Sequence, residues 1–264
     1  MRLGFIGCGN MASAMIGGMV KNGAARREDI IASVLTDAGK KRVEEELGIR
    51  VTKDNREVAG DCDVLFLAVK PQFYEQVIKE IADKITQEQI IVTIAPGKTL
   101  EWLASLLGNN KKIVRTMPNT PALVGEGMTA ACCNENVTEE DLAVVTELLE
   151  SFGKCEVVPE QLMDVVVSVS GSSPAYVFLF IEAMADGAVA DGMPREQAYR
   201  FAAQAVLGSA KMVLDTGKHP GELKDMVCSP GGTTMEAVRV LEQKGLRSSV
   251  IEAMKSCVAK ARGL

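Results

Sequence analysis

The chain has 264 residues, 47% of them hydrophobic and 24% charged, with a net charge of −6. That composition supplies one large or two modest cores and argues against a disordered chain. Without a cluster of Lys and Arg, it also argues against nucleic acid as a partner.

The N-terminus runs straight into "LGFIGCG". It has no charged segment followed by an apolar stretch and a cleavage site, so no signal peptide is expected. "RLGFIG" reads as a first strand, and "NMASAMIGGMVKNG" as a helix ending on Gly23. The join between them, Gly7-Cys8-Gly9-Asn10-Met11-Ala12, matches G-x-G-x-x-A. A strand before it, a helix after it and further βαβ units give the motif its weight. Gly7 permits the tight turn, Gly9 lets a pyrophosphate approach the backbone, and Ala12 lets helix and strand pack closely. The free amides of the helix start then hold the anion.

"DIIAS" is the second strand and "DAGKKRVEEELG" the second helix. Asp29 lies about 20 residues past the loop, but before the strand, at the wrong end to meet a ribose. The strand's carboxyl end, Ser33-Val34-Leu35-Thr36, holds no acid to repel a 2′-phosphate. Ser33 and Thr36 can bond a phosphate, with Lys40 and Lys41 nearby, so NADP(H) is favoured over NAD(H). Thr36 or Asp37 can equally cap the following helix, and capping is the main role expected of Asp37. "IRVT", "DVLFLAV", "QIIVTIA" and "KIVRTM" continue as strands, with helical stretches between them, and "MTAACC" and "CEVVP" as two last ones. This rhythm predicts a parallel sheet covered on both faces.

After about residue 160 the pattern becomes wholly helical. Several segments open on Pro and close on Gly, the usual asymmetry of helix ends. The expected architecture is a Rossmann-type dinucleotide-binding α/β domain over residues 1–159 and an all-α domain over 160–264. The uncharged run Val165–Ile181 is too short to span a bilayer and is interrupted by "SGSSP". It reads as the entry to a buried helix. The helix from Pro174 is apolar on nearly every side until Glu182, which requires burial all round. A second subunit would supply it, so a dimer through the helical domain is expected.

Seven cysteines, with no C-x-x-C pair, fit neither a zinc site nor a disulfide framework. Reduced thiols in the cytoplasm are the expected state, and no metal site is expected. Cys8 and Cys228 lie at glycine-rich loops, where a thiol could react. His219, the single histidine, precedes a Pro-led helix and reads as a loop residue. "SPGGTT" opens a helix late in the chain. Exposed amides, the helix dipole and the hydroxyls of Ser229 and Thr234 would suit a small carboxylate there.

"AVKPQ" (68–72), "MPNTPA" (117–122), "GSSPAY" (171–176) and "CSPGGTTMEAV" (228–238), together with the first glycine loop, resemble the pyrroline-5-carboxylate reductase family. The resemblance covers essentially the whole chain. It implies reduction of the C=N bond of 1-pyrroline-5-carboxylate by NAD(P)H to L-proline, the last step of proline biosynthesis. It also implies interlocked dimers that can assemble further. By this resemblance Gly7, Gly9, Asn10 and Met11 form the pyrophosphate loop, and Asn55 contacts the adenosine half. Ala68, Val69, Lys70 and Pro71 follow the cofactor's centre, and Ala95 and Asn119 lie toward the nicotinamide. Ser229, Gly231, Gly232, Thr233 and Thr234 form the substrate loop, with Thr234 as the candidate catalytic partner of the ring nitrogen. Three positions depart from the family pattern. Leu35 stands where Arg is frequent, Pro96 where a small residue is common, and Ser173 where Gly is usual. A β-hydroxyacid dehydrogenase shares the two-domain plan. That family resembles itself in a lysine on the first helix of the α-domain, and here none follows "GSSPAY" until Lys211.

Overall fold

The structure is a computed structural model that describes residues 1–263. Its contacts divide into two compact units. One comprises Met1–Ser172 with the residues from Val258 onward, and the other is Ser173–Cys257.

The first unit is built on eight strands: β1 Leu3–Ile6, β2 Ile30–Ser33, β3 Arg50–Thr52, β4 Val64–Leu67, β5 Ile90–Thr93, β6 Lys112–Met117, β7 Gly127–Cys133 and β8 Gly153–Val157. They form one sheet in the order β3-β2-β1-β4-β5-β6-β7-β8, so the first six strands follow the doubly wound order of dinucleotide-binding folds. The helices of this unit are α1 Asn10–Lys21, α2 Asp37–Leu47, α3 Asn55–Gly60, α4 Tyr74–Ile81, α5 Leu100–Leu107, α6 Glu139–Glu150 and the single turn α7 Met163–Val166.

Alternation along each strand divides the apolar residues between two cores. Leu3, Phe5, Val64, Phe66, Ile90 and Val92 point to the face covered by α1 and α6. Ile6, Leu65, Leu67 and Ile91 point to the face covered by α3, α4 and α5. Phe5 and Phe66 stack across β1 and β4 with ring centroids 4.5 Å apart.

The expected parallel sheet holds for β1 to β6. β7 then runs antiparallel to β6, and β8 pairs parallel to β7. The reason is the connection. β6 leads into β7 through the short 3-10 turn Thr120–Val124, too short for the crossover a parallel neighbour needs. α6 then supplies a crossover before β8.

The second unit consists of helices: α8 Ser173–Ala190, α9 Arg195–Thr216, α10 Pro220–Val227, α11 Thr233–Gln243 and α12 Leu246–Ala261, the last of which runs on into the first unit. At "SGSSP" (170–174) the helix is broken only by a bend at Ser172, between a π turn and α8. The π turn before it, Val167–Gly171, has the Ser168 and Ser170 hydroxyls donating back to the carbonyls of Val165 (2.8 Å) and Val166 (3.3 Å). A helical stretch therefore runs from Glu160 to Ala190. Among the described residues it is the one stretch long and apolar enough to cross a membrane. The expected burial of α8 is not achieved within one chain. Only Pro174 and Ala185 are buried, and Phe178 and Leu179 are 63% and 67% exposed.

Candidate active site

The chain leaves β1 through Gly7, whose φ of +91° disfavours any residue with a Cβ. A Cβ at that position would also come within 2.9 Å of the Ala68 carbonyl oxygen. The Gly7 amide donates to the Ser33 carbonyl at 3.1 Å, which ties the turn to the end of β2. α1 then starts behind Gly9 with no side-chain cap and no acid in its first turn. A Cβ on Gly9 would point into open space. Uncapped amides beside an open surface fit the pyrophosphate of a dinucleotide. Asn10 is exposed, Met11 is half-buried against the core, and Ala12 is buried where α1 meets the sheet.

At the end of β2, Ser33 is buried, and its hydroxyl donates to Asn55 Oδ1 at 2.7 Å. Asn55 Nδ2 donates in turn to Glu80 at 3.0 Å. The cap of α2 is Thr36, whose hydroxyl accepts from the Gly39 amide at 3.0 Å. Of the two residues expected to cap, Asp37 is instead the first helical residue and pairs with Lys53 at 2.8 Å. Thr wins because the cap needs extended backbone, which residue 36 has. Lys40 and Lys41 lie along the exposed side of α2, 3.8 Å from Glu44 and Glu45.

Ala68, Val69, Lys70 and Pro71 follow the end of β4, and Ala95 follows β5. Ala95 is buried, and Lys70 is exposed as it leads into the 3-10 turn Pro71–Phe73. Asn119 is nearly buried, and its side chain is engaged: Nδ2 donates to the Ser170 carbonyl (3.0 Å), and Oδ1 accepts from the Met128 amide (2.8 Å).

In the helical unit, residues 229–232 turn into α11. Gly231 has φ +67°, and the Gly232 amide donates to the Ser229 carbonyl at 3.0 Å. A Cβ at Gly232 would strike Ser229 Oγ, so the hydroxyl folds over the helix start. Gly232 caps α11 and offers no side-chain acceptor. Neither Thr233, exposed, nor Thr234, half-buried, serves as the cap. This end is open to an anion, like that of α1.

Residues 160–264 match the family model "Pyrroline-5-carboxylate reductase dimerisation", and residues 2–97 match "NADP oxidoreductase coenzyme F420-dependent". The pyrroline-5-carboxylate reductase of Escherichia coli K12 is 53% identical over 263 residues, covering 100% of this chain and 98% of that protein. The chain belongs to the pyrroline-5-carboxylate reductase family. The Methanosarcina acetivorans enzyme of the same name is 44% identical, covering 96% of this chain and 94% of that one. A crystal structure of the Plasmodium falciparum reductase with NADP bound superposes with a TM-score of 0.91. It is 31% identical and covers 100% of this chain and 97% of that one. The β-hydroxyacid dehydrogenase alternative is not favoured beside these relatives.

Within this pyrroline-5-carboxylate reductase family chain, sequence reasoning overlooked Tyr74. Its buried hydroxyl donates to the Leu67 carbonyl and accepts from the Ile94 amide at 3.2 Å. It thus joins the ends of β4 and β5, one residue before Ala68 and Ala95. Burial pushes its phenol far above the ordinary range, so the proton that makes the first bond stays in place. Nothing local in "PQFYEQ" announces this bridge, which depends on two strands meeting in space.

The remaining candidates are Cys8, Cys228, His219 and Tyr176. Burial pushes the Cys8 thiol up, against the pull of Ser13 and Arg42, which keeps it from acting as a ready nucleophile. Cys228 is half-buried between α10 and α11. His219 is exposed and caps α10, its Nδ1 accepting from the Gly221 amide at 3.0 Å. Tyr176 is half-buried on α8.

Proposed function

We propose that the chain reduces the C=N bond of 1-pyrroline-5-carboxylate to L-proline, with NADP(H) as the favoured cofactor and NAD(H) as the alternative. The observation that carries this reading is 53% identity to the Escherichia coli enzyme along essentially the whole chain. The two open helix starts and the NADP named in the Plasmodium falciparum structure support it.

When bound, the reduced nicotinamide supplies the hydride. The amides at the start of α1, with Gly7, Gly9, Asn10 and Met11, hold the pyrophosphate. Ser33 and Asn55 serve the adenosine half, the segment Ala68 to Pro71 the centre, and Ala95 and Asn119 the nicotinamide end. The amides of residues 233–235 and the Ser229 hydroxyl hold the substrate carboxylate. Gly231 leaves open space at that approach, the Ser229 hydroxyl lies over Gly232, and Thr233 lines it. Thr234 holds the ring nitrogen by a hydrogen bond and so fixes the imine carbon for attack. The protonated imine accepts the hydride at carbon, and the C=N π electrons become the nitrogen lone pair. The proton comes from solvent, so no side-chain acid is needed.

We assign the dinucleotide role to residues 1–159 and the substrate and dimerisation roles to 160–264, the span of the dimerisation model. The exposed apolar flank of α8 supports a homodimer through these helices. A cytoplasmic location rests on reading the seven cysteines as reduced thiols.

Purified protein mixed with NADPH and 1-pyrroline-5-carboxylate tests the reading by the absorbance of reduced nicotinamide. Rapid loss with proline formed is expected. Silence, or turnover only of 3-hydroxy acids with the oxidised cofactor, overturns it.

A further inference from the structure

The end of β2, where dinucleotide-binding folds read the ribose 2′ position, carries no cation of its own. Leu35 is 88% exposed, the Ser33 hydroxyl is bonded to Asn55, and the Thr36 hydroxyl is bonded to Gly39. Yet one guanidinium does reach this corner. Arg42, from the second turn of α2, donates through Nη2 to the Cys8 carbonyl at 3.0 Å. Cys8 follows Gly7, whose amide is bonded to the Ser33 carbonyl. These two bonds place the Arg42 charge between the glycine loop and the end of β2. Its Nη1 donates to Glu46 at 2.8 Å, one turn further along α2. A guanidinium has five N–H donors, so this pair of bonds leaves others for a ligand, and the side chain is 44% exposed.

We propose that Arg42 is the residue that selects the phosphorylated dinucleotide. It holds the glycine loop by the Cys8 carbonyl and presents its charge to a 2′-phosphate. Glu46 moderates that charge. The proposal rests on the dinucleotide reading above and adds to it the source of its 2′-phosphate preference.

The test is calorimetric titration of the full-length protein with NADP+ and with NAD+. Arg42→Gln is expected to weaken NADP+ about 10-fold, the size of one hydrogen bond to a charged group, and NAD+ less than about 2-fold. Glu46→Gln is expected to act in the opposite direction, tightening NADP+ about 3-fold, the size of one exposed charge interaction, and leaving NAD+ unchanged. Arg42→Lys should recover part of the NADP+ affinity, since it keeps the charge without the planar fork. Equal losses for both dinucleotides, or no loss in either, overturn the proposal. An unaltered NADP+ affinity in Glu46→Gln does the same even if Arg42→Gln fails to fold. Should the wild-type protein bind neither dinucleotide, it is the proposed function that fails.

Discussion

The chain closes some of its helices with its own side chains and leaves others open. α2, α5 and α6 begin on Thr36, Thr99 and Thr138, whose hydroxyls accept from the amide three residues on, at 3.0, 3.1 and 3.2 Å. α1 and α11 begin on Gly9 and Gly232, which have no side chain to offer. The flanks differ in the same way. α6 buries Val145, Leu148 and Leu149, while α8 leaves most of its apolar surface bare. A cap contributes about 1 kcal/mol, and burying a large apolar side chain about 1.5–3 kcal/mol. That stability is forgone at α1, α8 and α11, where a ligand or a second copy can supply it. α4 and α9 also start without a side-chain cap, on Phe73 and Pro194, but α1 and α11 start on glycine, and it is to these two glycine starts that ligand binding is assigned.

The largest test of this contrast concerns the flank of α8. Replacing Phe178 and Leu179 together by Glu should convert the proposed dimer to monomer in sedimentation experiments, because each charge would have to enter an apolar contact. A dimer that survives would place the interface elsewhere. The next effect concerns α1. Gly9→Asp supplies the missing cap in backbone that is already extended, so thermal unfolding should show a gain of a few tenths of a kcal/mol. The same carboxylate occupies the open space at the helix start and repels phosphate, so NADPH affinity should fall on the order of 100-fold. Loss of stability together with affinity would mean that the open end is merely poorly built.

Local signals in the sequence carried much of this architecture. Strand runs such as "IIVT" and helix ends such as Gly48, left-handed at φ +64°, follow from residues adjacent in the chain. Chain direction at the sheet's far edge did not, because β7 and β8 read as strands whichever way they run. The position of the α2 cap was ambiguous between Thr36 and Asp37, two good capping residues side by side. Tyr74 and Arg42 were invisible for a different reason. Their partners, Ile94 and Cys8, lie 20 and 34 residues away along the chain, and no periodicity encodes that meeting. The glycine loops were legible because their function depends on absent side chains, which a sequence states directly.

At α11 the contrast sharpens to one hydroxyl. Thr234 does not cap its helix, so removing its oxygen should cost little stability. Thr234→Val should lower turnover about 10–100-fold by loss of one transition-state hydrogen bond, with NADPH affinity and unfolding temperature unchanged. Unaltered kinetics would remove Thr234 from the reaction.

The smallest effect belongs to the closed end of α6, where the opposite pattern is expected. Thr138 and Asp141 form a reciprocal capping box, and Asp141 also meets Lys112 at 2.9 Å. Thr138→Ala should cost about 1 kcal/mol of stability and leave turnover untouched. Asp141 adds a pH signature. Burial pushes its carboxyl up, but the Lys112 ammonium and the Thr138 amide and hydroxyl outweigh that and hold it below the ordinary carboxylate range. A carboxyl depressed in the folded state stabilises the protein above its unfolded pKa of about 3.9 and loses that contribution as pH falls through the folded value. The stability gap between wild type and Asp141→Asn, measured by urea unfolding, should therefore be full at neutral pH and shrink only below about pH 4. A gap that stays constant down to strong acid would show that the carboxylate charge contributes nothing there, and that the cap acts through its neutral hydrogen bonds alone.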